Sequence, residues 1–293
     1  MTKVWESLEQ LGFVSEKSSK LFSSETRDNN NLDVWRDEVS EVIFIRDNYV
    51  GDKAYTESEY VKDTPVDERP RSYEDQRNLD RRLSAFKHYT WGKDIADFGC
   101  GAGLFLDAVI ENCSSVVGIE LQTRFLDSMK NRGVPCTNSL DSIPDSSLDC
   151  IFSFHVLEHL PDPIETLKTL KKKLRPGGLL IVEVPHARDI LLSGPVASKE
   201  FKRFTLWSQH LILHTRDSLR ALLLHTGFES ILIKGIQRYP LSNHLFWLAH
   251  NKPGGHVSTL SELDSDELYD AYVASLARID RTDTLIGIVQ KPL

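Results

Sequence analysis

From Leu79 onward, short apolar runs alternate with stretches in which apolar residues recur every three or four positions. The apolar runs at 94–98, 115–120, 134–138, 148–154 and 179–184 have the length and composition of buried parallel strands. Between them, 104–112, 123–131 and 164–174 carry helical spacing. Strands regularly separated by helices predict an α/β fold, a Rossmann-like doubly wound sheet with right-handed crossovers.

Beyond the fifth strand the pattern changes. A loop-rich stretch fills 185–216, an amphipathic helix follows at 217–226 and is closed by Gly227, and 230–236 reads as a strand. The next strand-like run, 284–290, comes about 45 residues later, too far for a bare loop in a compact domain. Helical spacing at 260–279 supplies part of that structure, and 239–256, rich in aromatics, His, Pro and Gly, reads as an irregular cap. The first 78 residues are polar and turn-rich, with one aromatic and β-branched run at 42–45. The expected organisation is an N-terminal extension with a small hairpin (1–78), a core (79–237), a cap insert (238–282) and a closing strand (283–293).

Charge narrows the function. A net charge of −8 opposes an electrostatic grip on nucleic acid. The densest basic run, 168–175, sits at a predicted helix end, where cations complement the carbonyl dipole. No apolar run approaches the roughly 20 residues that cross a bilayer, and the first ten residues, with Trp5, Glu6 and Glu9, do not read as a secretory leader, so a cytoplasmic location is expected. The four cysteines stand singly, with no C-x-x-C pair, and no metal centre is expected from them.

The chemistry starts at Asp97-Phe98-Gly99-Cys100-Gly101-Ala102-Gly103, an apolar strand ending in an acid, then three glycines, then an apolar helix. Glycines allow a ligand close to the backbone, and the helix that follows offers unpaired N–H groups, the geometry that holds a nucleoside at a switch point of the sheet. A dinucleotide fingerprint needs a glycine where Leu104 stands, which weakens a NAD reading. Asp97 would repel a pyrophosphate and welcome a cationic amino-acid moiety. Glu120, at the end of the second strand, is placed for both ribose hydroxyls.

With these residues the sequence resembles the class I S-adenosylmethionine-dependent methyltransferase superfamily. The resemblance runs from Leu79 to about Ile236, on the loop 97–103, on Val117-Gly118-Ile119-Glu120, and on the segments 148–160 and 174–185. It implies a seven-stranded sheet with an antiparallel last strand and S-adenosylmethionine as cofactor. It further implies a cofactor site of Asp97, Gly99, Gly101, Gly103, Glu120, Leu121, Leu140 and Phe154, with 138–141 at the adenine. An Asp common just after the third strand is here displaced to Asp141. In overall look the chain is similar to bacterial methyltransferases encoded with sugar and surface-polysaccharide enzymes, which implies a small-molecule acceptor, a sugar or nucleotide-sugar hydroxyl. The cysteine-rich zinc module of some relatives is missing from the stretch 32–45, and Tyr49, Tyr55 and Tyr60, which follow it, are expected to pack the extension on the core.

His155-Val156-Leu157-Glu158-His159 has the H-x-x-E-H spacing of an inverted zinc-protease helix, but it follows an apolar strand, and Pro161 and Pro163 stop any long helix. At the strand mouth His155 is a candidate facing the acceptor, while Glu158 and His159 are expected to cap the next helix. His210, in the cluster 204–210, is the other candidate base, and His186 a third. Methyl transfer is an in-line displacement driven largely by alignment, so a strong base is optional. The insert either roofs the acceptor through Arg238, Asn243 and His244, or joins two copies into a homodimer through Phe246, Trp247 and Leu248. The other function classes are a cofactor-binding protein without turnover and a nucleotide-dependent oxidoreductase.

Overall fold

The computed structural model describes residues 3–46, 48–49, 51, 73–194 and 196–293; Tyr55 and Tyr60 lie outside them. The chain begins with helix α1 (Val4–Gln10) and strands β1 (Ser19–Ser23), β2 (Val34–Asp37) and β3 (Ile43–Phe44). After helix α2 (Tyr73–Phe86) come β4 (Asp94–Phe98), α3 (Leu104–Val109), β5 (Ser115–Ile119), α4 (Thr123–Asn131), β6 (Cys136–Thr137), β7 (Leu148–Phe154), α5 (Pro163–Lys173) and β8 (Leu174–Pro185). Then follow α6 (Lys199–Thr205), β9 (Ile212–Leu213), α7 (Arg216–His225), β10 (Glu229–Ile236), α8 (Leu241–His250), α9 (Asp266–Arg278) and β11 (Thr284–Gln290).

Seven strands form the main sheet in the order β10-β11-β8-β7-β4-β5-β6. Strands β6, β5, β4, β7 and β8 run parallel, and β11 enters antiparallel between β8 and β10. The Rossmann-like sheet with an antiparallel last strand is therefore as expected. The order reverses between β4 and β7, which opens a crevice at their carboxyl ends. Both faces are covered. Leu180, Val182 and Val184 of β8 pack with Leu167 and Leu170 of α5 and Leu219, Leu222 and Leu223 of α7. On the opposite face, Ile95, Phe152 and Ile181 pack with Phe86 of α2, Leu106 of α3 and Met129 of α4. Because α2 begins at Tyr73, the expected extension boundary at 78 falls inside a helix that belongs to the main sheet's packing.

Strand β8 starts five residues before the expected run. The Pro176-Gly177-Gly178 stretch is absorbed by a bulge against β7, so Leu174 pairs with Leu148 and Leu179 with Cys150.

The hairpin expected near residue 42 is part of a second sheet. Strands β1, β2, β3 and β9 pair antiparallel in that order, with Ile43 opposite Leu213 and Phe44 opposite Ile212. An isolated hairpin is marginal in water. This one is held by a separate apolar cluster in which Val42, Ile43, Phe44 and Ile45 meet Leu211, Ile212 and Leu213 with almost no exposure.

Residues 241–250, expected to be irregular, form helix α8. Its Trp247 is buried in the second cluster, ring centroids 4.9 Å from Phe201 and 5.1 Å from Phe204. Trp247 is thus spent inside the chain and is not available to join two copies, whereas Leu248 is exposed. No helix among the described residues is long and apolar enough to cross a membrane.

Trp247→Ala is expected to lower stability by roughly 3–5 kcal/mol, read as an earlier urea midpoint, with the sedimentation coefficient of the folded protein unchanged.

Candidate functional site

The glycine loop is shaped by backbone geometry. Gly99, Gly101 and Gly103 all have positive φ, at 75°, 53° and 74°. A Cβ on Gly99 would lie 2.3 Å from Val156 Cγ2, so the loop packs directly on the segment that follows β7. A Cβ on Gly101 would meet nothing within 4 Å, so open space adjoins that backbone. The Gly101 N–H donates to Glu120 Oε2 at 2.9 Å, and the Gln122 N–H donates to Oε1 at 2.9 Å. A carboxylate has about four lone-pair sites. The backbone therefore aims Glu120 and leaves about two sites for a pair of hydroxyls.

Asp97 sits behind the loop, 3% exposed, and its Oδ1 has no hydrogen-bond partner. Burial pushes its pKa up to about 7; the Arg82 cation opposes this, and Glu120 and Glu183 add to it. A buried carboxylate in this state favours a cation placed nearby.

The crevice opens into a cavity of about 1080 Å³. On the β4–β6 side it is lined by Phe98, Gly99, Glu120, Leu121, Gln122 and the segment 138–141, including Leu140. Phe154 does not reach the wall. Its ring is buried 5.9 Å from Phe86 and 5.3 Å from Phe105, with the Arg82 guanidinium over it at 4.2 Å. Its expected place in the cofactor site is corrected to that of a core ring, because the strand's alternation turns it to the α2 face.

The next residue, His155, has φ 58° and enters the cavity. Its N–H donates to the Glu183 carbonyl at 2.9 Å, its Nδ1 lies 3.2 Å from Glu158 Oε1, and its enclosed Nε2 is 4.0 Å from Glu183 Oε2. Glu183 has no exposed side-chain surface. It accepts bonds from Arg81 Nη1 (2.8 Å) and Nη2 (3.0 Å) and from Arg82 Nε (3.1 Å) and Nη2 (3.0 Å), and these cations hold its pKa below the usual carboxylate range against the opposing effect of burial. Burial, with Arg238, Arg82 and Arg81, holds the His155 imidazole well below its ordinary pKa.

His210 is also kept neutral, by burial and by His159, Arg27 and Arg238. Its ring stands edge-on to His159 at 4.9 Å and Trp207 at 5.3 Å, and its Nδ1 is buried without a partner. Glu158, fully buried, is pushed up to about 8 by desolvation. His159 Nδ1–H donates to the Gln209 carbonyl at 2.9 Å. Neither Glu158 nor His159 caps α5 as expected; Asp162 does, its Oδ1 accepting the Glu165 N–H at 3.2 Å. His186 is a buried structural residue, its Nδ1–H on the Thr282 carbonyl at 2.9 Å and its pKa lowered to about 4 by burial.

The expected roof residues Arg238, Asn243 and His244 all line the cavity. Asn243 Oδ1 is taken up by Gly254 N–H and His256 Nδ1, and His244 by Tyr272 Oη and Gln237 Nε2, so both amide and ring brace the insert. Arg238, the third of the trio, lies with its Nε 3.6 Å from Asp283 Oδ1.

The profile described as "Methyltransferase domain" matches residues 72–233, more than half of the chain. The chain belongs to this methyltransferase family. The methyltransferase is 30% identical over 185 residues to the ubiquinone biosynthesis O-methyltransferase of Idiomarina loihiensis, covering 55% of this chain and 72% of that protein. It is 27% identical over 169 residues to the tRNA U34 carboxymethyltransferase of Alteromonas mediterranea, covering 51% of this chain and 49% of that one. The fold superposes on a SAM-dependent methyltransferase from Archaeoglobus fulgidus with a TM-score of 0.51 at 19% identity, covering 73% of this chain and 94% of that one. The enzyme is S-adenosylmethionine-dependent. The residues present fit that cofactor: an open glycine backbone at 101, a pre-aimed Glu120 with acceptor capacity left, and an unpartnered buried Asp97 charge for a cationic ligand.

Sequence reasoning missed Arg81, Arg82 and Glu183. A signal was there: Glu183 is the single acid in an apolar strand, and a carboxylate so placed demands a buried cation.

Ligand affinity is expected to follow Asp97. The carboxylate is ionised only above its raised pKa, so S-adenosylhomocysteine should bind roughly eightfold more tightly at pH 7.5 than at pH 6. Calorimetric titration of the native protein and of Asp97→Asn checks this; the variant should bind weakly and without that rise.

Proposed function

We propose that the enzyme methylates a hydroxyl oxygen of a small, ring-bearing polar acceptor, with a nucleotide-linked sugar as the first candidate. The observation that carries this is the wall on the β7–β8 side of the cavity. Phe201, Phe204, Trp207, Tyr239 and Trp247 line it, beside His155, His210, Arg238 and Arg27. Aromatic faces hold the flat side of a ring, and arginines suit phosphate or hydroxyl oxygens. The Arg27 guanidinium lies 4.4 Å over the Trp207 ring, which places charge and ring face together.

S-adenosylmethionine, when bound, supplies an electrophilic methyl group on a sulfonium. The chain's own contribution is to position the acceptor oxygen in line and to exclude water. His155 and His210 present neutral imidazoles to this side of the cavity, and because burial makes both weak bases, alignment carries most of the step. The O-methyltransferase name of the relative from Idiomarina loihiensis supports oxygen as the accepting atom and makes a phenolic ring the second candidate. Two arginines in one cavity favour the phosphate-bearing acceptor. A cytoplasmic place in surface-polysaccharide biosynthesis, and a homodimer, accompany that reading.

The test is incubation with S-adenosylmethionine and a panel of nucleotide-sugars, phenols and amines, with methylated products identified by mass spectrometry. A methyl ether on a nucleotide-sugar is expected, and Trp207→Ala should raise KM about tenfold with little change in kcat. Methylation confined to nitrogen or carbon acceptors would sink the proposal.

A further inference from the structure

Glu158, His159 and His210 bring three donor atoms within 4.8 Å of one another on the cavity wall. Each is prepared in a different way. Glu158 has no exposed surface; its Oε1 is engaged by His155 Nδ1, and its Oε2 is buried with no partner. The Nδ1 of His210 is likewise buried and unpartnered. His159 donates from Nδ1 to the Gln209 carbonyl, which fixes the tautomer that carries its lone pair on Nε2. A backbone carbonyl orienting an imidazole through its second nitrogen, and a histidine hydrogen-bonded to a liganding carboxylate, are the supports that metal sites use.

The fold produces this set from two distant segments. Glu158 and His159 lie in a short 3-10 turn after β7, too short for the helical zinc-protease arrangement that their spacing suggests. His210 comes from the loop before β9, and the Leu211 N–H donates to the Glu158 carbonyl at 2.7 Å, locking the two segments together.

We propose that Glu158, His159 and His210 bind one divalent transition cation of the zinc or cobalt type, leaving coordination positions open toward the acceptor. Two imidazoles and one carboxylate are the donor set of open, catalytic zinc sites. Tetrahedral bonds of about 2.0–2.2 Å put such ligands roughly 3.4 Å apart, so the side chains draw in by about an ångström on loading. The site departs from the expectation of no metal, which rested on the scattered cysteines and on Pro161 and Pro163 stopping a long helix after 155–159.

The consequence rests on the reading of oxygen methylation. A hydroxyl bound to the cation loses its proton to solvent more readily; its oxygen then forms the bond to the methyl carbon as the carbon–sulfur bond breaks, releasing S-adenosylhomocysteine. His210 thereby takes a ligand's part in place of a base's.

The test uses the full chain stripped with chelator and titrated with zinc chloride by calorimetry, with cobalt chloride added in parallel to read the visible absorption of the bound ion. One equivalent of zinc is expected, with a cobalt band of low-coordinate type, and Glu158→Gln and His210→Ala should each weaken binding by more than about 100-fold. S-adenosylhomocysteine binding, measured on the same samples, should persist in both variants and certifies that they are folded. Saturable metal binding that both folded variants retain would overturn the proposal, as would a stripped native chain that binds S-adenosylhomocysteine and no metal. Metal bound as described, with no hydroxyl acceptor methylated, would instead remove the oxygen-acceptor reading and leave the site standing.

Discussion

Glu183 is a carboxylate with no exposed side-chain surface near the carboxyl end of β8, an interior strand of the seven-stranded sheet, and two adjacent arginines of α2 close on it. A buried charge is tolerable only when its counter-charges and hydrogen bonds are complete. Here they are: both oxygens accept from Arg81, and Arg82 adds a second fork on Oε2. The pair pins α2 across the end of the sheet, where Phe86 meets the rings of Phe152 and Phe154. The same strand position then sets the site. The Glu183 carbonyl holds the His155 backbone, its carboxylate raises the pKa of Asp97, and Arg82 opposes that rise while lowering the pKa of His155.

The two sides of the cavity are built from different parts of the chain. The glycine loop, Glu120 and the segment 138–141 all lie within the matched family region, 72–233, and follow directly from strand–turn–helix geometry. Much of the roof lies outside it. Arg27 comes from the loop between β1 and β2, Tyr49 from the stretch after β3, and Arg238, Tyr239 and Trp247 from the region around α8. The second apolar cluster joins these pieces, since it contains residues of α1, β3, β9 and α8 together.

How much was readable in the chain follows from where each signal is local. β4, β7, α4 and β11 were placed to the residue, because each is a continuous apolar or amphipathic run bounded by turn residues. β3 and β9 are two residues each and exist through pairing across 168 positions, Phe44 with Ile212, which no local pattern encodes. α8 hid behind its His, Asn and Trp, residues that hold the insert together and face the cavity instead of forming a plain apolar stripe. The strand–glycine loop–helix geometry at 97–103 was legible from spacing. The Glu158–His159–His210 set was not, because it joins a turn after β7 to a loop more than fifty residues later by one backbone hydrogen bond.

The central claim is that the Arg81–Glu183–Arg82 contact holds α2 and, through it, the site. Hydrogen–deuterium exchange of Glu183→Gln against the native protein measures this most directly. Losing the charge leaves two partly buried guanidinium groups underpaired, at a cost of about 3 kcal/mol; amides of Tyr73–Phe86 should exchange much faster while those of α7 change little. Equal protection of α2 in both proteins would contradict the account.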